Sequence, residues 1–228
     1  PTLDMVLGCY YMTLVRPAAK GEGRYFSSIN EAKMAYDLGQ IDLQAEVVVR
    51  GAHHPGEMLK TSMGRVLFNE ALPEELRYRN QLMDRKELRG LVADCYRIMT
   101  NEETAAFVDK IKNIGFHYAT RSGMTIAVDD LNVPVPKDEM LKDTEQKLAH
   151  VQRQFQRGFI TEDERYQSVV QIWQAASDDI ARELPKHLDP YGSLYMMANS
   201  GAKGNIAQIR QMAGMRGLMS DPSGRIIE

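Results

Sequence analysis

A short break between two helical patterns near residue 158 constrains the fold of this chain more than any other feature. Apolar residues recur at heptad spacing before the break, at Leu141, Leu148 and Phe155, with Val151 between the last two. A second apolar seam follows it, at Tyr166, Val170, Trp173, Ile180 and Leu184. These spacings predict two amphipathic helices.

The connection between the two helices is short. Gly158 is placed to end the first helix, and Thr161 with Glu164 forms a capping box that starts the second. The pair must therefore fold back as an antiparallel hairpin. Its tip leaves two apolar residues, Phe159 and Ile160, exposed to solvent.

The first 130 residues alternate between helical and extended patterns. The helices expected there run from Thr2 to Thr13 with an interruption at Gly8, from a cap at Ser28 to an end at Gly39, and over Met63 to Leu72, Asp84 to Met99 and Glu102 to Ile114. The expected strands run from Ile41 to Val49 and from Met124 to Val128. The first of them continues through a turn at Gly51 to Gly56 into a second extended run, Glu57 to Thr61, and so forms a hairpin. We therefore predict an α+β fold that is mainly helical, with a small antiparallel sheet and a long antiparallel helical hairpin.

Side chains that commonly serve catalysis or metal binding have structural interpretations here. His53 and His54 lie in a Gly/Pro turn, where exposed histidines are commoner than metal ligands. Asp129 and Asp130 are adjacent, so on a strand they would point to opposite faces and fail to share one metal, and we interpret the pair as a structural turn or cap. Cys9 and Cys95 are too few for a zinc cluster or a disulfide framework, which fits a reducing cytoplasm. We predict no catalytic residue and no metal site in this chain.

Composition limits the classes of function. A formal charge of -3 argues against a free-standing nucleic-acid binder, so a basic site must be local. The run Gly201 to Asn205 lacks the glycine spacing and the Ser/Thr of a Walker A loop, and no dinucleotide fingerprint is present.

The most informative segment for function runs from Tyr195 to Ser220. It contains Lys203, Arg210 and Arg216 but no carboxylate, and its glycines are Gly201, Gly204, Gly214 and Gly217. Cations and close-approach glycines without acids indicate a surface that faces phosphate. A Met-rich buried helix with flexible ends explains the same composition.

A short helix is expected to follow Lys203. Asn205 is its predicted N-cap, and Ile206, Ile209 and Ala213 form a stripe that packs inward. Gln211 then points away from that stripe. Lys203, in the turn before the helix, is the first candidate for a triphosphate contact, followed by Gln211, Arg210 and Arg216. The alternative is that all four side chains have only structural roles.

Long stretches of the chain resemble the β′ family, the largest subunits of bacterial RNA polymerases. The similar segments, in the same order as in the family, are DMVLGCYYMT (Asp4 to Thr13), KGEG (Lys20 to Gly23), TSMGRVLFNEALP (Thr61 to Pro73), GFHYATRSGMTIAVDDLNVP (Gly115 to Pro134), the hairpin from Glu164 to Trp173 and SGAKGNIAQIRQMAGMRGLMSDPSGRIIE (Ser200 to Glu228). Nearly the whole chain is covered.

The resemblance implies a pore domain at residues 1–135, a funnel or rim helical hairpin at 136–190 and an F-loop segment at 191–228. These regions line the secondary channel, through which nucleoside triphosphates enter and the RNA 3′ end is extruded. Gly201, Gly204 and Asn205 correspond to F-loop backbone. Phe159, Ile160 and Tyr166 lie where transcript-cleavage factors dock. The implied partners are the β subunit, the rest of β′, nucleoside triphosphates, the RNA 3′ end and cleavage factors, with no membrane.

Differences from the family pattern limit what is carried over. Lys203 stands where bacterial relatives usually have Arg, which keeps the charge but loses bidentate phosphate geometry. The family's three-aspartate motif does not occur, so we expect Mg²⁺ of the intact enzyme to bind outside this segment, and the isolated segment to be inactive. The missing initial Met and the strand-like end at Glu228 lead us to expect an excised segment of a longer chain. The alternative is a stand-alone helical protein-interaction module.

Overall fold

A computed structural model describes residues 1–52, 54, 56–131 and 136–227 of the chain. The helices are α1 Asp4–Thr13, α2 Ile29–Asp37, α3 Met63–Ala71, α4 Arg85–Ile98, α5 Asn101–Ser122, α6 Lys137–Gln156, α7 Glu162–His187, α8 Ser193–Asn199 and α9 Ile206–Ile209. The strands are β1 Tyr25–Phe26, β2 Glu46–Arg50, β3 Met58–Ser62, β4 Met219–Ser220 and β5 Ile226–Ile227. The predicted α+β class, mainly helical with little sheet, is confirmed.

The chain packs into two compact units. The first comprises Pro1–Thr125 and Ser193–Lys203, and the second comprises Ile126–Gly192 and Gly204–Glu228. By packing, then, the segment around α8 belongs with the first 125 residues although it is distant in sequence. The division into pore, funnel and F-loop segments stays a prediction about function.

The sheet of the first unit has the strand order β1-β2-β3. The predicted hairpin is confirmed, since β2 and β3 pair antiparallel with Val47 opposite Thr61. The unpredicted β1 adds to β2 in parallel. The expected strand start at Ile41 was wrong, because residues 41–45 form a turn. In that turn, the Asp42 N–H donates to the Lys20 carbonyl at 2.9 Å and the Ala45 N–H donates to the Asp42 carbonyl at 3.2 Å.

Close backbone contact joins α1 to α5. The expected interruption of α1 at Gly8 and the expected end of α5 at Gly115 were both wrong, since both helices run through these positions. A Cβ on Gly8 would lie 1.8 Å from the Gly115 carbonyl oxygen, and one on Gly115 would lie 2.6 Å from the Met5 carbonyl oxygen. Glycine therefore serves the helix crossing here. Gly123, with φ 59°, ends α5 instead.

Residues around this crossing form the larger of the two apolar clusters found among the described residues of the first unit. Its members include Val6, Cys9, Met12, Phe68, Leu88, Cys95 and Ile111. Cys9 and Cys95 are free thiols inside this cluster, and burial raises the pKa of Cys9 to about 12. The cysteines therefore act as small apolar side chains.

The expected strand at Met124 to Val128 was also wrong. Residues Val128–Asp130 form a 3₁₀ turn, in which the Ala127 N–H donates to the Asp130 carboxylate at 2.8 Å. This confirms the structural interpretation of the aspartate pair as a turn or cap. His53 lies outside the described residues, and His54 is exposed.

The second unit is built on the predicted hairpin of α6 and α7, which is confirmed. Gly158 adopts φ 72° at the end of α6, and Thr161 with Glu164 forms the capping box of α7. The buried side chains of this hairpin are Thr144, Val151, Val169, Ala176, Ser177, Ile180 and Leu184. Trp173 is only half-buried.

Candidate functional site

The turn after α8 holds Lys203 on an ordered backbone. The Gly201 N–H donates to the Ala198 carbonyl at 3.3 Å, and the Lys203 N–H donates to the Met197 carbonyl at 3.2 Å. Gly201 and Gly204 have φ values of 72° and 74°, a region that favours glycine. These two glycines therefore set the direction in which the chain leaves α8.

Lys203 itself is exposed, as is Gly204 after it, whereas Ala202 before it is buried. Its ammonium forms no ion pair or hydrogen bond with any residue that the structure describes. A surface cation without a partner is available to a ligand at no cost of breaking an existing pair.

Two long-range hydrogen bonds within the first unit position this turn. The Arg85 N–H at the start of α4 donates to the Ser200 carbonyl at 3.0 Å. The Asn199 side-chain amide donates to the Tyr10 hydroxyl at 3.2 Å, and burial raises the pKa of that hydroxyl. Sequence reasoning missed Tyr10, Arg85 and Asn199, because nothing local marks contacts between residues this far apart in the chain.

The second unit contains the other predicted phosphate-facing residues. The predicted cap at Asn205 is confirmed, since its side chain accepts from the Gln208 N–H at 2.8 Å and the Gln208 side chain accepts from the Asn205 N–H at 3.2 Å. After α9 the backbone widens into a π-helical turn at Arg210–Gly214. Gly214 packs on α7, where an added Cβ would lie 3.3 Å from Ile180.

The orientation predicted for this segment is confirmed at Ile209, Ala213 and Gln211, whereas Ile206 of the predicted stripe is only half-buried. Ile209 and Ala213 are buried, while Gln211 is exposed. Arg210 is half-buried and Arg216 is exposed. In the described part of the chain neither arginine pairs with a carboxylate, so they hold no acidic partner within this segment. Their roles stay predictions.

The hairpin tip presents one large apolar side chain. Phe159 is 73% exposed, whereas Ile160 is half-buried rather than exposed as expected. Beside Phe159 lies a cavity of about 360 Å³ lined by His150, Arg153, Gln154 and Arg157. Apolar and basic groups thus lie side by side at the tip.

Tyr166, the third predicted docking residue, is engaged inside the second unit. Its hydroxyl accepts from the Ile226 N–H at 3.0 Å and lies 3.1 Å from the Ile226 carbonyl oxygen, to which it donates. Arg225 covers its ring at 4.5 Å from the centroid. These contacts tie α7 to the β4–β5 hairpin, a role that no local pattern announced.

A divalent metal needs several donor side chains close together. Mg²⁺ is usually held by carboxylates that converge on one point. Across residues 1–52, 54, 56–131 and 136–227, no three His, Cys, Asp or Glu side chains come together in this way. These residues therefore do not fit a resident metal.

No helix in the same ranges is both long and apolar enough to cross a bilayer.

Comparison with known proteins adds the family. Residues 1–131 match the family model described as RNA polymerase Rpb1, domain 3, and residues 160–228 match that of RNA polymerase Rpb1, domain 4. The chain is 51% identical over 228 residues to a DNA-directed RNA polymerase subunit beta′ from Desulforamulus reducens, 49% identical to one from Dehalococcoides mccartyi and 45% identical over 277 aligned residues to one from Roseiflexus castenholzii.

All of this chain is covered in those three comparisons, but only 19%, 18% and 18% of the relatives, respectively. The chain thus spans about a fifth of the length of the relatives it matches. It belongs to the RNA polymerase Rpb1 family, within which it matches a segment of the bacterial β′ subunit.

Proposed function

We propose that this chain lines the secondary channel of a DNA-directed RNA polymerase, where nucleoside triphosphates enter and the RNA 3′ end is extruded during transcription. The observation that carries the proposal is exposed Lys203, which pairs with no described residue and lies on a turn between two positive-φ glycines, in a chain that β′ relatives cover from end to end. A fixed turn presents its cation to a passing triphosphate without first ordering a loop.

Lys203 is the residue we place against the triphosphate, with Gln211, Arg210 and Arg216 following in that order. A lysine contributes a point charge and up to three donors, so it attracts phosphate oxygens without imposing a bidentate geometry. Gly201, Gly204 and Asn205 set the backbone on either side of it.

Catalysis belongs, in this proposal, to the assembled nucleotidyltransferase. Phosphoryl transfer depends mainly on positioned metal ions and on cations around the phosphates. The described residues offer cations but no converging carboxylates. We place Mg²⁺ on other parts of the subunit, and the β subunit with the rest of β′ around this segment.

The hairpin tip is our proposed docking surface for transcript-cleavage factors. Exposed Phe159 supplies an apolar anchor, and Arg153 and Arg157 supply positive charge beside it. A partner with an apolar side chain flanked by carboxylates would fit this combination. Tyr166 would act indirectly, by holding α7 through Ile226.

A polymerase assembled with the full-length subunit tests the nucleotide contact. Lys203→Ala should raise the KM for nucleoside triphosphates about tenfold or more, since losing a charged hydrogen bond costs about 1.5–3 kcal/mol. The matched control is Lys110→Ala, which removes from α5 of the same unit an exposed lysine that pairs with none of the described residues. If KM and the elongation rate match the wild type in Lys203→Ala and also in Gln211→Ala, the proposed nucleotide contact is wrong.

A further inference from the structure

The turn that carries Lys203 is held by hydrogen bonds that begin in the core of the first unit. Tyr10 on α1 is only 2% exposed, and its hydroxyl accepts a hydrogen bond from the Asn199 side-chain amide at 3.2 Å. Asn199 is exposed and is the last residue of α8. One hydrogen bond therefore connects a buried residue of α1 to the end of the helix that leads into the Lys203 turn.

Ser200, the next residue, fixes the turn further. It is 1% exposed, and each of its polar groups has a partner. Its N–H donates to the Met196 carbonyl at 3.0 Å, and its carbonyl accepts from the Arg85 N–H at 3.0 Å. Its hydroxyl donates to the Met197 carbonyl at 3.1 Å and accepts from the Ala202 N–H at 3.2 Å. Any shift of this buried residue would break hydrogen bonds that water cannot replace.

The backbone of Lys203 closes on the same acceptor. Its N–H donates to the Met197 carbonyl at 3.2 Å, the group that also accepts from the Ser200 hydroxyl. The Lys203 ammonium, by contrast, forms no ion pair or hydrogen bond with a described residue. The base of this side chain is therefore fixed, while its charged end can reach a ligand.

Packing alone does not require a hydroxyl on residue 10. Phenylalanine would supply the same ring, and the buried α1 residues Val6, Cys9 and Met12 are apolar. A buried hydroxyl costs free energy unless it is hydrogen-bonded. Since the bond to Asn199 meets this requirement, the tyrosine is better explained by its link to α8 than by filling of the core.

We infer that Tyr10 is a positioning residue, which through Asn199 holds the turn so that Lys203 meets the phosphates of the incoming nucleoside triphosphate. The inference rests on the proposed function, because it requires the contact between Lys203 and the triphosphate. Tyr10 itself touches no substrate. It acts because a turn that is already ordered pays no ordering cost on binding, and because attraction between ammonium and phosphate weakens with distance.

Primer extension by polymerase assembled with the full-length subunit tests this link. Tyr10→Phe keeps the ring and removes the hydroxyl, so the lost neutral hydrogen bond should raise the KM for nucleoside triphosphates about threefold and leave kcat within about 1.5-fold of the wild type. The rise is smaller than that expected for Lys203→Ala, because a loosened lysine still reaches the phosphates part of the time. Tyr78→Phe is the matched control and should match the wild type, since it removes a hydroxyl that bonds Thr61 of β3 at 3.1 Å.

Asn199→Ala removes the same hydrogen bond from its exposed side, so it leaves the core intact. It should raise KM by the same factor as Tyr10→Phe. The double variant should be no worse than either single variant, because all three lose one shared bond. If both single variants keep KM within about 1.3-fold of the wild type, or if their effects multiply in the double variant, the inference is wrong.

Combination with Lys203→Ala separates positioning from a general structural role. Without Lys203 the turn has no cation to position, so adding Tyr10→Phe should leave KM unchanged. An equal rise in both backgrounds would overturn the inference. If Lys203→Ala raises KM while Tyr10→Phe and Asn199→Ala do not, only the inference fails. If Lys203→Ala is itself silent, the proposed nucleotide contact fails and the inference fails with it.

Discussion

Gly8→Ala tests the close crossing of α1 and α5. The new Cβ would lie 1.8 Å from the Gly115 carbonyl oxygen, whereas real Cβ contacts are essentially never shorter than 3.0 Å. The backbones must therefore separate locally by about 3.0 − 1.8 = 1.2 Å. The obstacle is backbone, which has no rotamer to change, and buried Val6, Cys9 and Met12 would lose packing as the helices part.

The expected magnitude combines two opposing terms. Overpacking a well-packed core costs about 1–3 kcal/mol and occasionally more, and the rigidity of the obstacle favours the upper end. Alanine recovers about 1 kcal/mol of helix propensity over glycine. We expect a net loss of about 2 kcal/mol or more in the free energy of unfolding, which lowers Tm by about 4–8 °C in a chain of this size.

The chain supplies a matched control on α4. Gly90 is exposed, and an added Cβ there would meet nothing within 4 Å, so Gly90→Ala should raise stability by about 0.5–1 kcal/mol. Thermal unfolding followed by circular dichroism compares the two variants. Labelling of the buried Cys9 thiol, whose pKa burial raises to about 12, reports opening of the first unit directly. Equal Tm values for Gly8→Ala and the wild type, with unchanged labelling, would refute the reasoning.

Two further predictions concern burial. Trp173→Ala should lower the free energy of unfolding by about 1–2 kcal/mol. This is below the roughly 3–5 kcal/mol expected for a fully buried indole, because Trp173 is half-buried. Ile180→Ala, at a fully buried site, should lower it more when both variants are compared by urea unfolding. Burial raises the pKa of Tyr118 to about 12 and also raises the pKa values of Tyr10 and Tyr78, so ultraviolet titration should show a late-ionising fraction that becomes smaller in Tyr118→Phe. Since the folded pKa lies above the unfolded value, the contribution of Tyr118 to the free energy of unfolding is complete below about pH 10 and disappears as pH rises through 12. The wild type should therefore lose stability relative to Tyr118→Phe across this window. A difference in stability between the two proteins that stays constant from about pH 10 to 12 would contradict the prediction.

Much of the local structure could be predicted from the sequence. The caps at Ser28, Thr161 and Asn205 and the hairpin turn at Gly158 all form as expected. Each of these signals is complete within about four residues, because a cap satisfies backbone groups of its own first turn. The same locality allowed the fold class and the exposure of Gln211 to be predicted.

Glycine was the main source of error, because one residue type meets two different needs. Gly123 and Gly158 end helices in the left-handed region, while Gly8 and Gly115 lie inside helices that touch. Sequence spacing cannot tell a helix end from a helix crossing, since the second depends on a segment more than a hundred residues away. The same limit applied to Tyr166, whose hydroxyl binds Ile226.

For the candidate site, the sequence by itself determined which side chains are available: an acid-free segment with Lys203, its glycines and the Asn205 cap. Tertiary structure alone decided what surrounds them. It set the start of α4 against Ser200, and it placed Lys203 and Arg210 in different compact units. The physical reason is that charge and capping belong to the residue and its near neighbours, whereas cavities and unpaired charges depend on which distant segments the core brings together.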